Sequence, residues 1–482
     1  MLGLFGTLNL ASRALQTQMA GVEVAGQNLA NVNTPGYSRQ RVVIQSDVAI
    51  PTAVGPEGTG ASVQGIQQVV DQLLNGQIQN QASVSGYWNQ QQRTLQSVQT
   101  ALNDFLSSAQ NASGAAGAGT AGLSNGLSAK LGNFFNALSA VATSPASPDA
   151  RQAAIGAAQT LASTFQQINT RLTELHTALD TSLTSQVSDA NQLLTDIAGL
   201  NEQIASAQNI SSGPANDLLD LRQQKLEALA GHLNFQSSTA ADGSVTVTTL
   251  GSQTLVSGNR VVNALKAAVD PANGRIQVWT TNNNNVLTGV PYGLTSGSLV
   301  ATVDARDGEL AALRISIDSL ASNLITQVNT LHSAGFNLAG GTGASLFTGG
   351  TAAGIGVNQA IAADPALLQA SGAAGLSGDG SVAAALAGLA STSVAALNNQ
   401  TFSGAYAQSV AQLGTTLNHA NDQAASQAAV TGMLSGRRSS VSGVNLDEEM
   451  TSLMTYQRAY QASAHVVTTV DQMIQVILAM KA

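Results

Sequence analysis

Three carboxylates stand together in "NLDEEM" at 445–450, the kind of grouping that could hold a hard cation. The same residues also make a helix start. Asn445 can cap, Glu448 takes the capping-box position, and Asp447 to Glu449 sit at the positive end of the helix dipole. We take the helix start as the better account. "NDLLDLR" at 216–222 places Asp217 and Asp220 on one helix face, as an acid–base pair would need. Asn216 as a natural cap and Asp217 as a first-turn residue explain them without catalysis. The five histidines, His176, His232, His332, His419 and His465, lie far apart, none with a second ligand-type residue at metal spacing. "LAGGTGASLFTGG" has no lysine placed as in a phosphate loop. Asn111-Ala112-Ser113 and Asn209-Ile210-Ser211 match a glycosylation sequon, a common chance match. No catalytic, cofactor or metal site is predicted, and the chain is expected not to be an enzyme.

Composition points the same way. Charged residues are only 9% of 482, and the net charge is −9. That balance lacks the basic footprint nucleic acid requires, while low charge lets like subunits pack with little repulsion. There are no cysteines, which excludes disulfides, thiolate metal sites and a cysteine nucleophile. No apolar run reaches the length of a membrane span, so no membrane insertion is expected. The start, "MLGLFGTLNLASRALQ", lacks the basic region and continuous apolar stretch of a cleaved signal peptide.

The elements that would position functional residues lie at the two ends. Residues 4–31 carry Phe5, Leu8, Leu15, Met19, Val22 and Leu29 at heptad spacing, with Ser12 and Gly26 in the same seam. The other end mirrors this with Met450, Leu453, Gln457, Tyr460, Ala464, Val467, Asp471, Ile474 and Leu478. Two long amphipathic helices that pack on each other are predicted, and these apolar positions are the predicted assembly interface. The polar faces carry few Lys or Arg, which disfavours a membrane surface. Gly21 and Gly26 each cost about 1 kcal/mol in a helix, and polar groups interrupt the seam. The ends are therefore expected to be mobile in the free chain and to order when neighbours add apolar surface, as in a polymerising subunit.

Between the ends, helices are predicted at about 67–110, 124–143, 147–208 (Ser147 cap, Pro148 first), 216–231, 304–333 and 403–436. "NASGAAGAGTAG" at 111–122 is expected to be flexible, and "GRRSSVSG" is expected to link to the terminal helix. "DGSVTVTTL" alternates like a strand, and Asn273-Gly274 signals a hairpin. The fold class is thus mainly α: paired terminal helices in a coiled coil, a helical bundle, and a small inserted β domain. The expected domains are 1–45 with 444–482, then 46–234 with 301–443, and 235–300 as the β insert, with 337–400 unassigned.

A sharp corner closes the first helix. In "LANVNTPGYSRQ" (29–40), Asn31 and Asn33 suit a left-handed helix end. Pro35 drives Thr34 out of the α region, and Pro35-Gly36 fits the centre of a type II turn. From Tyr37 the pattern becomes β-like. Arg39 and Arg41 are candidates to contact neighbours, or are simply solvated.

That motif after an amphipathic helix resembles the signature of the bacterial flagellar axial proteins, the rod, hook and hook-associated family. "SGVNLDEEMTSLMTYQRAYQASAHVVTTVDQMIQVIL" is similar, more narrowly, to the hook-associated members. So are "FFNALSAVATSPASPDARQAA", "IAGLNEQI", "PANDLLDLRQQKLEALA" and "VNTLHSAGFNLAG". Gln67, where relatives typically carry Arg, and a short β region depart from the pattern. The resemblance implies end helices lining an axial tube, with the helical domain around it and the β domain outermost. It implies a homo-oligomeric ring joining hook to filament, in contact with the hook protein and a second junction protein. It also implies export through the flagellar type III apparatus without a cleaved signal, to an extracellular place on the flagellum, with a chaperone on the C-terminal helix. In that setting Asn31, Thr34, Pro35, Gly36 and Tyr37 turn the chain outward from the tube. A rod or hook subunit is the alternative, and it should lack the 216–222 block.

Overall fold

The computed structural model describes residues 3–52, 55–106, 126–210, 215–282, 286–289 and 294–480. The stretch 111–122 and the sequon at Asn111 fall outside them, as does Ser211 of the second sequon. The chain packs as two compact units.

The first unit comprises 1–87, 185–300 and 425–482. It opens with helix α1 (Leu4–Ala30), which runs into the corner and then strand β1 (Gln40–Ser46). After a small hairpin of β2 (Ile50–Thr52) and β3 (Gly55–Glu57), strand β4 (Ala61–Gln68) pairs antiparallel with β1. Val42 faces Ile66 and Ile44 faces Val63, with a bulge after Val43. This ribbon lies along α1: Thr17 Oγ donates to the Ala61 carbonyl, and Arg13 pairs with Asp47 at 2.6 Å. A two-stranded ribbon is marginal by itself, so α1 is part of its support.

Helix α2 (Gln72–Leu106) starts five residues later than its pattern predicts, because β4 claims residues up to Gln68. α3 (Leu127–Thr143) precedes α4 (Pro148–Ile210), whose start is as read: Pro148 comes first, and the Ala150 N–H donates to Ser147 Oγ. After α5 (Asn216–His232) come a four-stranded meander, β5 (Phe235–Thr239), β6 (Val245–Thr249), β7 (Thr254–Ser257) and β8 (Arg260–Val261), and a three-stranded sheet of β9 (Ala264–Val269), β10 (Ile276–Thr281) and β11 (Leu287–Gly289). Val245, Val247 and Thr249 are buried in β6, alternating as the strand pattern predicts. At the β9–β10 turn only Gly274 takes positive φ, and the Asp270 N–H donates to the Arg275 carbonyl. The connection is therefore a four-residue loop, longer than the two-residue turn that Asn-Gly suggests.

The second unit comprises 88–184 and 301–424. α6 (Ser298–Asp304) passes through a π-helical stretch, Ala305–Leu310, into α7 (Ala311–Ala334). Its core gathers Phe134, Phe135, Phe165, Phe347 and Phe402, all buried, with Phe134 at 5.3 Å from Phe135 and 5.5 Å from Phe347. Residues 337–400, unassigned by pattern, belong here: Phe347, Ile355, Ile361 and Leu368 pack into the same core. Strands β12 (Phe347–Thr348) and β13 (Gly356–Val357), short α8 (Gln359–Ala363) and α9 (Ser381–Gly388) are local to it. α10 (Phe402–Ser442) runs on through "GRRSSV", so the expected linker is helix, and α11 (Leu446–Ala479) begins after three residues.

Buried polar groups hold this unit in register. Arg151, 2% exposed, donates to the carbonyls of Pro145 (2.6 Å), Leu368 (2.6 Å) and Pro365 (3.4 Å). Arg306 pairs with Asp180 and Asp307. His332 bonds the Ala344 carbonyl through Nδ1 and accepts the Gln369 N–H at Nε2.

Candidate assembly site at the terminal corner

α1 and α11 pair antiparallel within the chain: Asn28 meets Glu449, and Gly21 meets Tyr456. The inward face of α1 is Ala11, Thr17, Gly21, Val24, Ala25 and Asn28, mostly small residues. It is rotated away from the predicted seam. Of that seam Leu8, Leu15, Val22 and Leu29 are half-buried, while Phe5 (74%) and Met19 (54%) are exposed. On α11, Leu453, Val467 and Ile474 are half-buried and Met450, Tyr460 and Leu478 exposed, whereas Glu449 and Val470 are buried. The physical reason is close approach. Small side chains bring the backbones together, so the bulky apolar residues are left on the flanks. A heptad count detects apolar size, and size here marks the outer positions.

The corner is built around one buried amide. Asn28, 1% exposed, accepts the Gln40 N–H (2.9 Å) and the Tyr37 hydroxyl (2.9 Å) on Oδ1. Its Nδ2 donates to the Gln40 carbonyl (2.8 Å) and to Glu449 Oε2 (3.1 Å). Burial, then the carboxylates of Asp217, Asp220 and Glu449, pushes the Tyr37 hydroxyl up to about 12, so it stays a donor. The turn itself is type II: the Tyr37 N–H reaches the Thr34 carbonyl across Pro35 and Gly36, with Gly36 at φ +78°. Neither Asn31 nor Asn33 is left-handed. Asn31 sits at φ −102°, and its side chain closes the helix by donating to the Gln27 carbonyl and accepting from Thr34 Oγ.

α5 clamps the outside of the corner. Asp220 accepts the Ser38 N–H (2.9 Å), the Ser38 hydroxyl (2.7 Å) and Gln68 Nε2 (2.8 Å). Burial raises its carboxyl despite these donors. Asp217 takes Gln40 Nε2, and Asn216 donates to the Ile66 carbonyl and to Gln40 Oε1. Asn216 is therefore no cap, because its side chain is spent on β4 and β1. Gln224 reaches the Pro35 carbonyl and stands where a Cβ on Gly36 would point. The carboxylates of 216–222 are structural acceptors, and their one-face spacing was the available signal.

Arg39 pairs with Glu448 (2.8 Å) and Glu449 (2.7 Å) of its own chain, while Arg41 is exposed. Asn445 does cap α11, accepting from the Asp447 and Glu448 N–H groups, but Glu448 turns to Arg39. Beside the corner opens a polar cavity of about 920 Å³, lined by Asn33, Gly36, Gln79, Arg222, Gln224 and Arg438 among others. Burial lowers Arg222 to about 10, and it donates to Asn201 Oδ1 and the Gly243 carbonyl. Among the described residues no cluster could hold a metal ion, and no helix is long and apolar enough to cross a membrane.

Residues 8–37 match the family described as flagella basal body rod protein, and 436–480 the C-terminal family of the rod FlgEFG proteins. Residues 119–347 match the flagellar hook-associated protein FlgK helical domain. Flagellar hook-associated protein 1 of Bacillus subtilis is 26% identical over 99% of this chain and 98% of its own length. That of Salmonella typhimurium is 26% identical over 71% of this chain and 59% of its length. The flagellar hook junction protein FlgK from Burkholderia pseudomallei shares the fold, with TM-score 0.63 at 18% identity, over 75% of this chain and all of that one. Paired terminal helices, a turn motif and rod-type ends define an axial subunit of the bacterial flagellum. Within that class, the chain is similar to flagellar hook-associated protein 1 (FlgK), in its helical domain and over nearly the whole length of the Bacillus subtilis relative.

Proposed function

We propose that this chain is a structural subunit of the hook–filament junction. A ring of its copies would join the hook to the filament and seat a second junction protein. The observation that carries this is the FlgK helical domain lying between two rod-type ends. The ends alone would suit a rod or hook subunit equally well.

In this reading 1–45 with 444–482 form the axial coil and 235–300 are the β insert of the first unit, while the helices expected to bundle over 46–234 with 301–443 divide between the two units. Phe5, Met19, Met450, Tyr460 and Leu478, exposed in the single chain, meet neighbouring subunits, and the half-buried Leu8, Leu15, Val22, Leu29, Leu453, Val467 and Ile474 back them. The motif Asn31, Thr34, Pro35, Gly36 and Tyr37 sets the exit from the coil. The chain would reach its extracellular place through the flagellar type III apparatus, with an export chaperone on α11, and would carry no catalytic activity. Support for that last point is that Asp217 and Asp220 are occupied by neighbours in the fold.

Electron microscopy of cells lacking this gene, with flagellin assayed in the medium, tests the reading. Hooks without filaments and flagellin lost to the medium are expected. Filaments on such cells would overturn the junction role, and absent hooks would favour the rod-or-hook alternative.

A further inference from the structure

A helix pair seamed by small residues has a register problem. Small buried residues such as Ala11 and Ala25 offer little that distinguishes one heptad from the next, so on their own they would let α11 slide along α1 at small cost. Two contacts break this degeneracy. A Cβ on Gly21 would lie 2.6 Å from the Tyr456 ring, so the ring occupies a notch only glycine leaves open. One heptad along α1, Asn28 meets Glu449, which is 3% exposed and one heptad back along α11. Each helix thus advances seven residues between the contacts, in opposite directions.

We infer that Gly21 and Asn28 are the register-determining residues of the terminal helix pair. Slide α11 by one heptad in one direction and Tyr456 faces Ala14 and Glu449 faces Gly21. The ring then meets a methyl group, and the buried carboxylate loses both Asn28 and Arg39, an expensive orphan. Slide it the other way and Tyr456 faces Asn28, while Glu449 passes the end of α1. A single buried polar contact is the best-attested way to fix register in a helix pair. The consequence rests on the proposed axial role. A heptad slip moves α11 by about 10 Å and puts Tyr460 and Leu478 beside different residues of α1, so copies would no longer present one common surface.

The chain has no cysteine, so engineered pairs report register cleanly. Seven residues before Gly21 and after Tyr456 lie Ala14 and Ser463; A14C/S463C is the native pair. T7C/S463C and A14C/V470C report the two one-heptad slips. On the purified full chain, mild oxidation should close only the native pair. Adding N28L and G21A together should make slipped pairs close with a matching loss of the native one, while either change alone leaves the other contact to hold the native register. E449Q, which keeps an acceptor for Asn28 Nδ2, should close only the native pair. Native-only closure in the N28L/G21A double variant would overturn the inference. So would loss of all three cross-links, because the residues would then hold the helices together without choosing their register. This readout needs no assembly, so its failure is separate from failure of the junction role, which the deletion strain decides.

Discussion

At the scale of residues, the corner depends on charges and amides that are fully engaged. Asp220 accepts three hydrogen bonds, two of them from Ser38. D220A strands those donors in a buried place and should cost the first unit about 3 kcal/mol, by the penalty for unmet buried hydrogen bonds to a charge. Denaturation followed through Trp279 in a W88F background checks it, since Trp279 belongs to that unit. In the second unit, burial drops His332 from 6.5 to about 4. The neutral ring is the folded form, and the unfolded chain binds the proton more readily. Stability is therefore complete above about pH 6.5 and falls as pH drops toward 4, by about 3 kcal/mol in all. H332Q, which cannot titrate, should flatten that part of the pH curve whatever its own cost.

At the scale of elements, the turn and the starts of α4 and α11 could be read ahead, but the inward face of α1 could not. The Pro-Gly turn is local chemistry, and Pro148 and Asn445 are local signals that the structure keeps. The face of α1 is decided by what lies across from it, and that is a tyrosine seated on a glycine. Gly36 shows how the two mix. Its φ of +78° favours glycine, and Gln224 of α5 fills the space beside it. G36A should therefore cost about 1 kcal/mol from the backbone, plus the displaced Gln224. Arg151 joins the start of α4 to the carbonyls of Pro365 and Leu368. R151K should destabilise the second unit nearly as much as R151A, because an ammonium lacks the planar fork that reaches several carbonyls. Thermal unfolding followed through Trp88 would show it.

At the scale of the whole molecule, the assembly role proposed for the exposed apolar residues of the terminal helices can be separated from folding. Phe5, Met19 and Leu478 are each more than half exposed. Changing them to Ser should shift monomer stability by no more than about 0.5 kcal/mol apiece. Together the changes should abolish filaments in cells, an outcome that motility assays and microscopy read directly. Hydrogen exchange in the purified chain should be graded. Amides near Asn28, Gln40 and Glu449 should be protected, and those near residues 5–10 and 470–478 should exchange quickly, because α11 is mostly exposed toward its end.

The sequence by itself determined the class of fold, the end helices, the corner and the family resemblance. Each of these is written in local turn chemistry, apolar periodicity or contiguous motifs. The tertiary structure decided which face of α1 turns inward, that Arg39 serves its own chain, and that 216–222 clamps the corner. It also gathered residues 337–400 into the aromatic core of the second unit. These depend on partners far apart in the chain: Asp220 lies 182 positions from Ser38, and Glu449 lies 421 from Asn28. A carboxylate's neighbour at that separation is set by packing, and spacing along the chain carries no trace of it.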